Sequence, residues 1–152
     1  MDKRNKETEK GEAIRQTDTA TRTVINPWTW GDAFGFVQGV ESVGATRIVH
    51  CAGQGDQSNK DGAARNAGNM AAQVAGCMDN IERVLSEAGL SLSHVVRLNF
   101  YTTDVDGFIA VLRDQLAERL RAAGCRPSST LLGVTRLAFP DMLVEIEATA
   151  LA

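Results

Sequence analysis

Residues 70–96 read MAAQVAGCMDNIERVLSEAGLSLSHVV, and this stretch decides the fold. Its larger apolar side chains recur every three or four positions, which places them along one face of an α-helix. The members of this face are Met70, Val74, Cys77, Met78, Ile81, Val84, Leu85 and Ala88. Gly89 is placed to end the helix in a left-handed cap. The sequence therefore predicts one long helix with a single buried face.

Segments on both sides of this helix have the alternating or apolar patterns of β-strands. The predicted strands are residues 36–42, 47–52, 94–101, 130–137 and 142–151. A second helix is expected after Asp104 or Asp106, either of which can cap it, and before Gly124. The order is strand–strand–helix–strand–helix–strand–strand, which indicates an α+β fold with both helices on one face of a sheet.

The second face of this sheet is the first reason to expect an oligomer. We expect that face to carry Val, Leu, Ile and aromatic side chains, and no further segment is left to cover it. Because a large apolar surface is normally buried, a homo-oligomer is the economical prediction.

Composition narrows the class of protein. The chain has 152 residues, no apolar run long enough to span a membrane, and no apolar core of a signal peptide near its start. Its net charge of −3 argues against a nucleic-acid binder. Three widely spaced cysteines and two histidines form no metal-ligand pattern. Unpaired thiols suit a reducing cytoplasm, which is the predicted location.

The domain prediction has two parts. Residues 1–23 are polar and of mixed charge, with Ile14 as the one large apolar side chain after Met1, so we expect a disordered arm. A partner-binding tail is the alternative. Residues 24–152 are expected to form a single domain.

Four segments, in order along the chain, match the pattern of a known family. They are GFVQGV at 35–40 followed by AGQ at 52–54, the helix-containing stretch at 70–96, YTTDVDGF at 101–108, and RL at 136–137 followed by VEIEATA at 144–150. Together they resemble the reactive intermediate deaminase family, also called the Rid or YjgF family, over nearly the whole predicted domain.

The resemblance implies a chorismate-mutase-like fold of the bacillus type, with a sheet backed by two helices. It also implies a homotrimer whose ligand clefts lie between subunits. Archetypal members hydrolyse imines and enamines of amino acids to 2-keto acids and ammonia, with no metal or other cofactor. The implied partners are a small-molecule ligand and two further copies of the chain, without nucleic acid or membrane.

One departure from the family pattern concerns substrate binding. Archetypal members hold the substrate carboxylate with an arginine, whose planar guanidinium can make two parallel hydrogen bonds. Here Ser129 occupies that position, and a hydroxyl cannot replace the charge. Phe36 replaces the family's tyrosine, and Leu112 replaces its usual asparagine. Arg97, Arg126 and Arg136 are the candidates to replace the arginine.

Other site positions are retained. Glu145 matches the family's glutamate that helps to position water, Gly53 matches a glycine whose backbone helps to hold ligand or water, and Leu131 matches a position that uses its backbone carbonyl. The resemblance therefore implies a catalytic role for Glu145 and ligand binding by Phe36, Gly53, Ser129 and Leu131.

Three functions stay open at this point. The first is a cofactor-free, deaminase-like hydrolase for a small reactive metabolite other than a simple 2-imino acid. The second is a non-catalytic small-molecule binding or regulatory protein on the same scaffold. The third, which the net charge disfavours, is an endoribonuclease or translation inhibitor.

Several residues also have structural interpretations. Glu145 and Glu147 share one strand face, where either can be a solvated or ion-paired surface group. The four aromatic residues Trp28, Trp30, Phe34 and Phe36 either line a ligand cleft or pack onto the core or a subunit interface. We expect Cys51 and Cys77 to be buried and Cys125 to be the most exposed thiol. For His50 we expect a surface or interface position.

Overall fold

The structure is a computed structural model that describes residues 20–58 and 61–152. Its strands are β1 (Thr21–Ile25), β2 (Gly39–Val43), β3 (Ile48–Gln54), β4 (Val95–Thr102), β5 (Ser128–Gly133) and β6 (Val144–Leu151). Its α-helices are α1 (Met70–Glu87), α2 (Val105–Val111) and α3 (Ala117–Ala122). A π-helical turn, Leu112–Leu116, joins α2 to α3, and a 3-10 turn covers Asp32–Phe34.

The main sheet has four strands in the order β3-β6-β4-β5. β4 and β5 are parallel, whereas β6 is antiparallel to both of its neighbours. β1 and β2 form a separate antiparallel pair. The helices pack against one face of the main sheet, which confirms the predicted α+β architecture.

The long helix α1 matches the sequence prediction closely. The Asn69 side chain accepts a hydrogen bond from the backbone N–H of Ala72, 3.0 Å away, and so caps the first turn. Cys77, Met78, Ile81 and Leu85 are completely buried, as are Leu98 on β4 and Ile146 on β6. Gly89 follows with a φ of +73°, as the left-handed cap requires.

The second helical segment confirms one prediction and adds a feature. Asp104 is the cap, and its Oδ1 accepts from the N–H of Gly107 at 3.0 Å. The helix then contains a π turn, which places one more residue in a turn than α geometry allows. Leu112, Leu116 and Leu120 still reach the core across this turn.

The chain before β3 differs from the prediction. Strand β1 was not predicted, and it begins at Thr21, three positions before the expected domain boundary. β2 begins at Gly39 instead of Phe36, because the N–H of Val37 donates to the carbonyl of Pro127 at 2.9 Å and Val37 pairs beside β5. The predicted arm lies outside the described residues up to position 19.

The prediction of an apolar second sheet face is wrong for the two central strands, β4 and β6. We call this surface the outer face. Strand alternation turns the apolar side chains of β4 and β6 toward the helices, so the intervening positions carry polar groups. These are Arg97, Asn99, Tyr101, Thr130, Glu145, Glu147 and Thr149, with exposed His50 at the edge. The two edge strands add exposed apolar side chains to this face, namely Ile48 at 61% and Leu132 at 51% exposed.

Among the described residues, no helix is long and apolar enough to cross a membrane.

Candidate functional site

A cavity of about 390 Å³ opens between the helices and the β4–β5 edge of the sheet. Its lining consists mainly of aromatic and aliphatic side chains, with two polar ones. The lining residues are Trp30, Phe34, Phe36, Gln38, Phe100, Ile109, Leu112, Ser129 and Leu131. The cavity volume and composition are typical of small-molecule sites.

Two glycines allow the aromatic wall of the cavity to form. A Cβ at Gly31 would lie 2.8 Å from the Phe36 ring, so the ring packs directly over that backbone. Gly35 has a φ of +78° and lies against Ala117, which brings the aromatic turn close to α3. The rings of Trp30 and Phe36 then meet edge to face at 5.3 Å.

The structure separates the predicted site residues into two groups. Phe36, Ser129 and Leu131 line the cavity. Glu145 lies on the outer face, since it alternates with the buried Val144 and Ile146. Gly53 lies beside Glu145, because a Cβ at position 53 would be 1.8 Å from the Glu145 Oε1 atom. A single chain therefore contains two half-sites on opposite faces of one sheet.

The two glutamates of β6 have different surroundings. Glu147 Oε2 accepts hydrogen bonds from the Tyr101 hydroxyl at 2.9 Å and from the Asn99 amide at 3.2 Å. Glu145 has no hydrogen bond or ion pair with any residue of the described segments. Glu147 is thus a structural group of the outer face, as expected, whereas Glu145 is available to a ligand or water.

The Glu147 contact also changes the acidity of Tyr101. Because the phenol donates to a carboxylate, its neutral form is stabilised and the pKa of Tyr101 is raised above its ordinary value. Partial burial and the negative charges of Glu147 and Glu145 act in the same direction, and Arg97 opposes them.

None of the three candidate arginines lines the cavity. Arg97 donates from Nε to the Asn99 Oδ1 atom at 2.9 Å and makes a second bond to the Thr130 hydroxyl. Because Thr130 points away from the Ser129 side of β5, Arg97 belongs to the outer face. Arg126 lines a separate depression beside Arg121, and the exposed Arg136 contacts the carbonyl of Leu137. The carboxylate-binding charge has no replacement in this cavity wall.

The cysteines offer no reactive thiol. Cys51 and Cys77 are buried, as predicted. The expectation for Cys125 is wrong: it is 2% exposed, since the turn after Gly124 folds it under β4, where its Sγ lies 3.8 Å from the carbonyl of Val95. Burial raises the pKa of Cys125 to about 12, and burial with the nearby Asp56 charge raises that of Cys77 to about 12.

Asp56 is a buried carboxylate with a structural role. It is 2% exposed and accepts hydrogen bonds from Arg65 Nε at 2.8 Å and from Asn66 Nδ2 at 2.6 Å. Its carboxyl group packs against Gly76 of α1, where no Cβ would fit. These contacts fasten the end of the loop after β3 to the helix and satisfy the buried charge.

Six lining residues were not predicted as site residues, namely Trp30, Phe34, Gln38, Phe100, Ile109 and Leu112. Gln38 lies two positions after Phe36, and in an extended segment this spacing places both side chains on the same face, which is the sequence signal that could have identified Gln38. Trp30 belongs to the aromatic cluster, for which packing and a cleft wall were both open; the structure shows both. Leu112 was noted as a departure from the family pattern, and its methyl groups now replace a polar group in the cavity wall.

Comparison with known proteins identifies the class of this fold and site. Residues 32–152 match the family model described as Endoribonuclease L-PSP, which is the Rid or YjgF family. The chain belongs to this family.

Individual relatives agree with that assignment. The chain is 29% identical to Protein mmf1, mitochondrial, of Schizosaccharomyces pombe, over 87% of this chain and 77% of the relative. Among solved structures, the Rid family protein YyfB from Yersinia pestis, itself of unknown function, is 32% identical in sequence. Its crystal structure superposes with a TM-score of 0.75 and covers 86% of this chain and 98% of that one. The YjgF gene product of Escherichia coli is 26% identical, with a TM-score of 0.60 over 76% of this chain and 87% of the other. The fold is therefore chorismate-mutase-like.

Proposed function

We propose that this Rid family member is a cofactor-free, deaminase-like hydrolase of a small reactive metabolite that carries no carboxylate. The observation behind the proposal is the contrast between the two glutamates. Glu147 is occupied by Asn99 and Tyr101, whereas Glu145 is half-buried, lies against the backbone of Gly53, and has no partner in the described segments.

Glu145 is suited to the role of general base. Its carboxylate takes a proton from water as the oxygen attacks the carbon of a C=N bond, which gives a carbinolamine. The same group returns this proton to the nitrogen, so that the carbinolamine is neutral. It then takes the proton of the carbinolamine hydroxyl and passes it to the nitrogen as the C–N bond breaks, which releases an amine and a carbonyl compound. The backbone of Gly53 and the carbonyl of Leu131 would hold the water and the reacting oxygen.

The separation of the two half-sites supports a homotrimer. Within one chain, the sheet lies between Glu145 and the cavity. A neighbouring copy that places its outer face against the cavity mouth would bring Glu145 to Phe36 and Ser129. A cytoplasmic location is part of the proposal, although the relative from S. pombe is named as mitochondrial.

A second function, binding without catalysis, is favoured by the same uncharged lining. A pocket that has lost its carboxylate-binding charge and keeps its volume can serve as a sensor for a neutral metabolite. An endoribonuclease is disfavoured by the net charge of −3, since RNA binding relies on neutralising phosphates.

Hydrolysis of two imines tests the proposal. The first is a 2-imino acid generated by an amino-acid oxidase and followed by semicarbazone trapping. The second is the uncharged N-benzylidenemethylamine, followed by its ultraviolet absorbance. We expect the wild type to hydrolyse the uncharged imine and to be nearly inactive on the imino acid. Glu145→Gln should lose about 100-fold in rate, the lower end for a lost general base.

Matched variants complete the experiment. Glu147→Gln removes the charge of the neighbouring glutamate on the same face and should keep the rate within a few-fold. Ser129→Arg should gain activity on the imino acid. Strong wild-type activity on the imino acid would contradict the loss of carboxylate binding. If both the wild type and Glu145→Gln are inactive on both imines, the result would favour the binding function.

A further inference from the structure

The cavity contains a polar group that the proposed hydrolysis does not use. We propose that the cavity recognises an uncharged compound with an aromatic ring, and that the Gln38 side-chain amide donates a hydrogen bond to an oxygen on that ring's substituent. The inference rests on the proposed function for the location of the ligand site, but it concerns recognition and is independent of turnover.

The first observation is the state of the Gln38 amide. Its Nε2 atom is buried and has no hydrogen-bond partner in the segments that the structure describes. An unsatisfied buried donor costs about 1–3 kcal/mol, so it is normally paired with something. The backbone N–H of Gln38 bonds to Asn26 Oδ1 at 3.2 Å, which holds the residue in place beside the cavity. Because Gln38 lines the cavity, a rotation of its side-chain amide would bring Nε2 to a ligand oxygen, which would satisfy the donor.

The shape and lining of the cavity indicate the ring. Four aromatic side chains line it, namely Trp30, Phe34, Phe36 and Phe100. The rings of Trp30, Phe34 and Phe36 meet edge to face or tilted, with the Phe34 and Phe36 centroids 6.4 Å apart, so both ring faces and ring edges are presented. An engineered cavity of about 150 Å³ takes benzene. The volume of about 390 Å³ here has room for one ring with substituents.

Charge decides against an ionised ligand. No lining residue in the described part of the chain is charged, so a carboxylate placed there would lose its hydration without gaining a counter-ion from that lining. Arg113 is the charged residue to consider, because its guanidinium carbon lies 5.0 Å above the Phe34 ring. It stacks on that ring as a cation–π contact and is not part of the lining. Selection for an uncharged ligand follows.

Fluorine NMR titration of the full-length protein tests both parts of the proposal. The probes are 4-fluorobenzamide, 4-fluorobenzoate and fluorobenzene, which share the ring and differ in the charge and in the oxygen acceptor. We expect 4-fluorobenzamide to bind at least tenfold more tightly than 4-fluorobenzoate. The Gln38→Leu variant should bind 4-fluorobenzamide about tenfold more weakly than the wild type, and it should bind fluorobenzene as tightly as the wild type or more tightly. A collapsed cavity would weaken both, so the pair separates lost recognition from lost structure.

Gln115→Leu is the matched control, because Gln115 is exposed on the π turn and outside the cavity lining. It should bind all three probes like the wild type. Tighter binding of 4-fluorobenzoate, abolished by Arg113→Met, would overturn the selection for neutral ligands. An unchanged amide affinity in Gln38→Leu would overturn the role of Gln38. If no ring probe binds, the ring preference is wrong.

The same samples distinguish this inference from the proposed hydrolysis. Binding of 4-fluorobenzamide that depends on Gln38, in a protein that hydrolyses neither imine, would leave the recognition intact and reject the hydrolase. Imine hydrolysis by the wild type, together with an unchanged affinity of Gln38→Leu for 4-fluorobenzamide, would support the hydrolase and reject the recognition by Gln38.

Discussion

Adjacent residues of β4 show how different the two faces of the sheet are. Phe100 is 3% exposed, packs against Phe108 with ring centroids 5.1 Å apart, and lines an uncharged cavity. Tyr101 points the other way, where its hydroxyl joins Glu147 in a network with Asn99. The helix side has an uncharged cavity, and the outer face carries charged groups. Within one chain, the cavity and Glu145 of β6 therefore lie on opposite faces of the sheet.

The comparison also shows where hydrogen bonding is incomplete. Most polar groups of the outer face bond to one another, whereas Glu145 does not, and on the helix side the Gln38 amide is unpaired among the described residues. These two exceptions are the groups to which we assign proton transfer and ligand recognition. Satisfied polar groups stabilise the sheet, and unsatisfied ones are available to a ligand.

The largest expected difference between the two faces is in the free energy of unfolding when Phe100 and Tyr101 of β4 are truncated separately. Phe100→Ala removes a buried ring and leaves a cavity, so we expect a loss of about 3–5 kcal/mol in the free energy of unfolding. Tyr101→Phe deletes one hydrogen bond to Glu147 and should cost about 1 kcal/mol. Urea unfolding followed by circular dichroism measures both. Equal losses would mean that the outer face is as important to stability as the core.

A smaller effect is expected from two glycines that share a left-handed backbone. Gly35→Ala should destabilise by about 2–4 kcal/mol, because the strained φ is combined with a Cβ that would lie 2.9 Å from the Ala117 Cα. Gly89→Ala meets open space and carries the backbone strain alone, about 1–2 kcal/mol. Thermal unfolding of the two variants isolates the tight packing behind the cavity wall. Identical melting temperatures would show that this packing relaxes easily.

The smallest effect is spectroscopic. Tyr101 is the one tyrosine of the chain, so absorbance near 295 nm follows its titration without interference from another phenol. We expect a midpoint above 10 in the wild type, shifted down toward 10 in Glu147→Gln. Because the folded pKa is raised, the contact adds stability below about pH 10 and loses it as the pH rises through the folded value. A wild-type midpoint that is not raised would show that Tyr101 does not bond to Glu147 in solution.

The sequence predicted most of the fold, for reasons that the structure makes plain. Helix α1 has a strong apolar period and clear caps, so its ends and its buried face were predictable from Met70 to Gly89. Strand β1 was missed because Thr21–Ile25 is short and only partly buried, and its pairing with β2 is a tertiary contact. The polar outer face was mispredicted because the composition of a strand does not say which alternate positions face the helices.

The site was predicted less completely. Family resemblance identified Phe36, Ser129 and Leu131, which the fold does bring together in the cavity. It did not reveal that Glu145 lies on the other face, since that depends on strand alternation and the packing of the helices. Nor could it identify Gln38, whose significance comes from a buried amide without a partner, a property of three-dimensional packing alone.

The π turn at Leu112–Leu116 has an evolutionary consequence. A helix that contains an additional residue can lose it and return to α geometry, while its cap at Asp104 and its end at Gly124 stay where they are. Such a deletion would rotate Leu112 relative to the cavity without disturbing the buried Phe108 at one end or Leu120 at the other. A single deletion in this turn would therefore change the part of the cavity wall that Leu112 forms, which substitution at individual lining positions does not do.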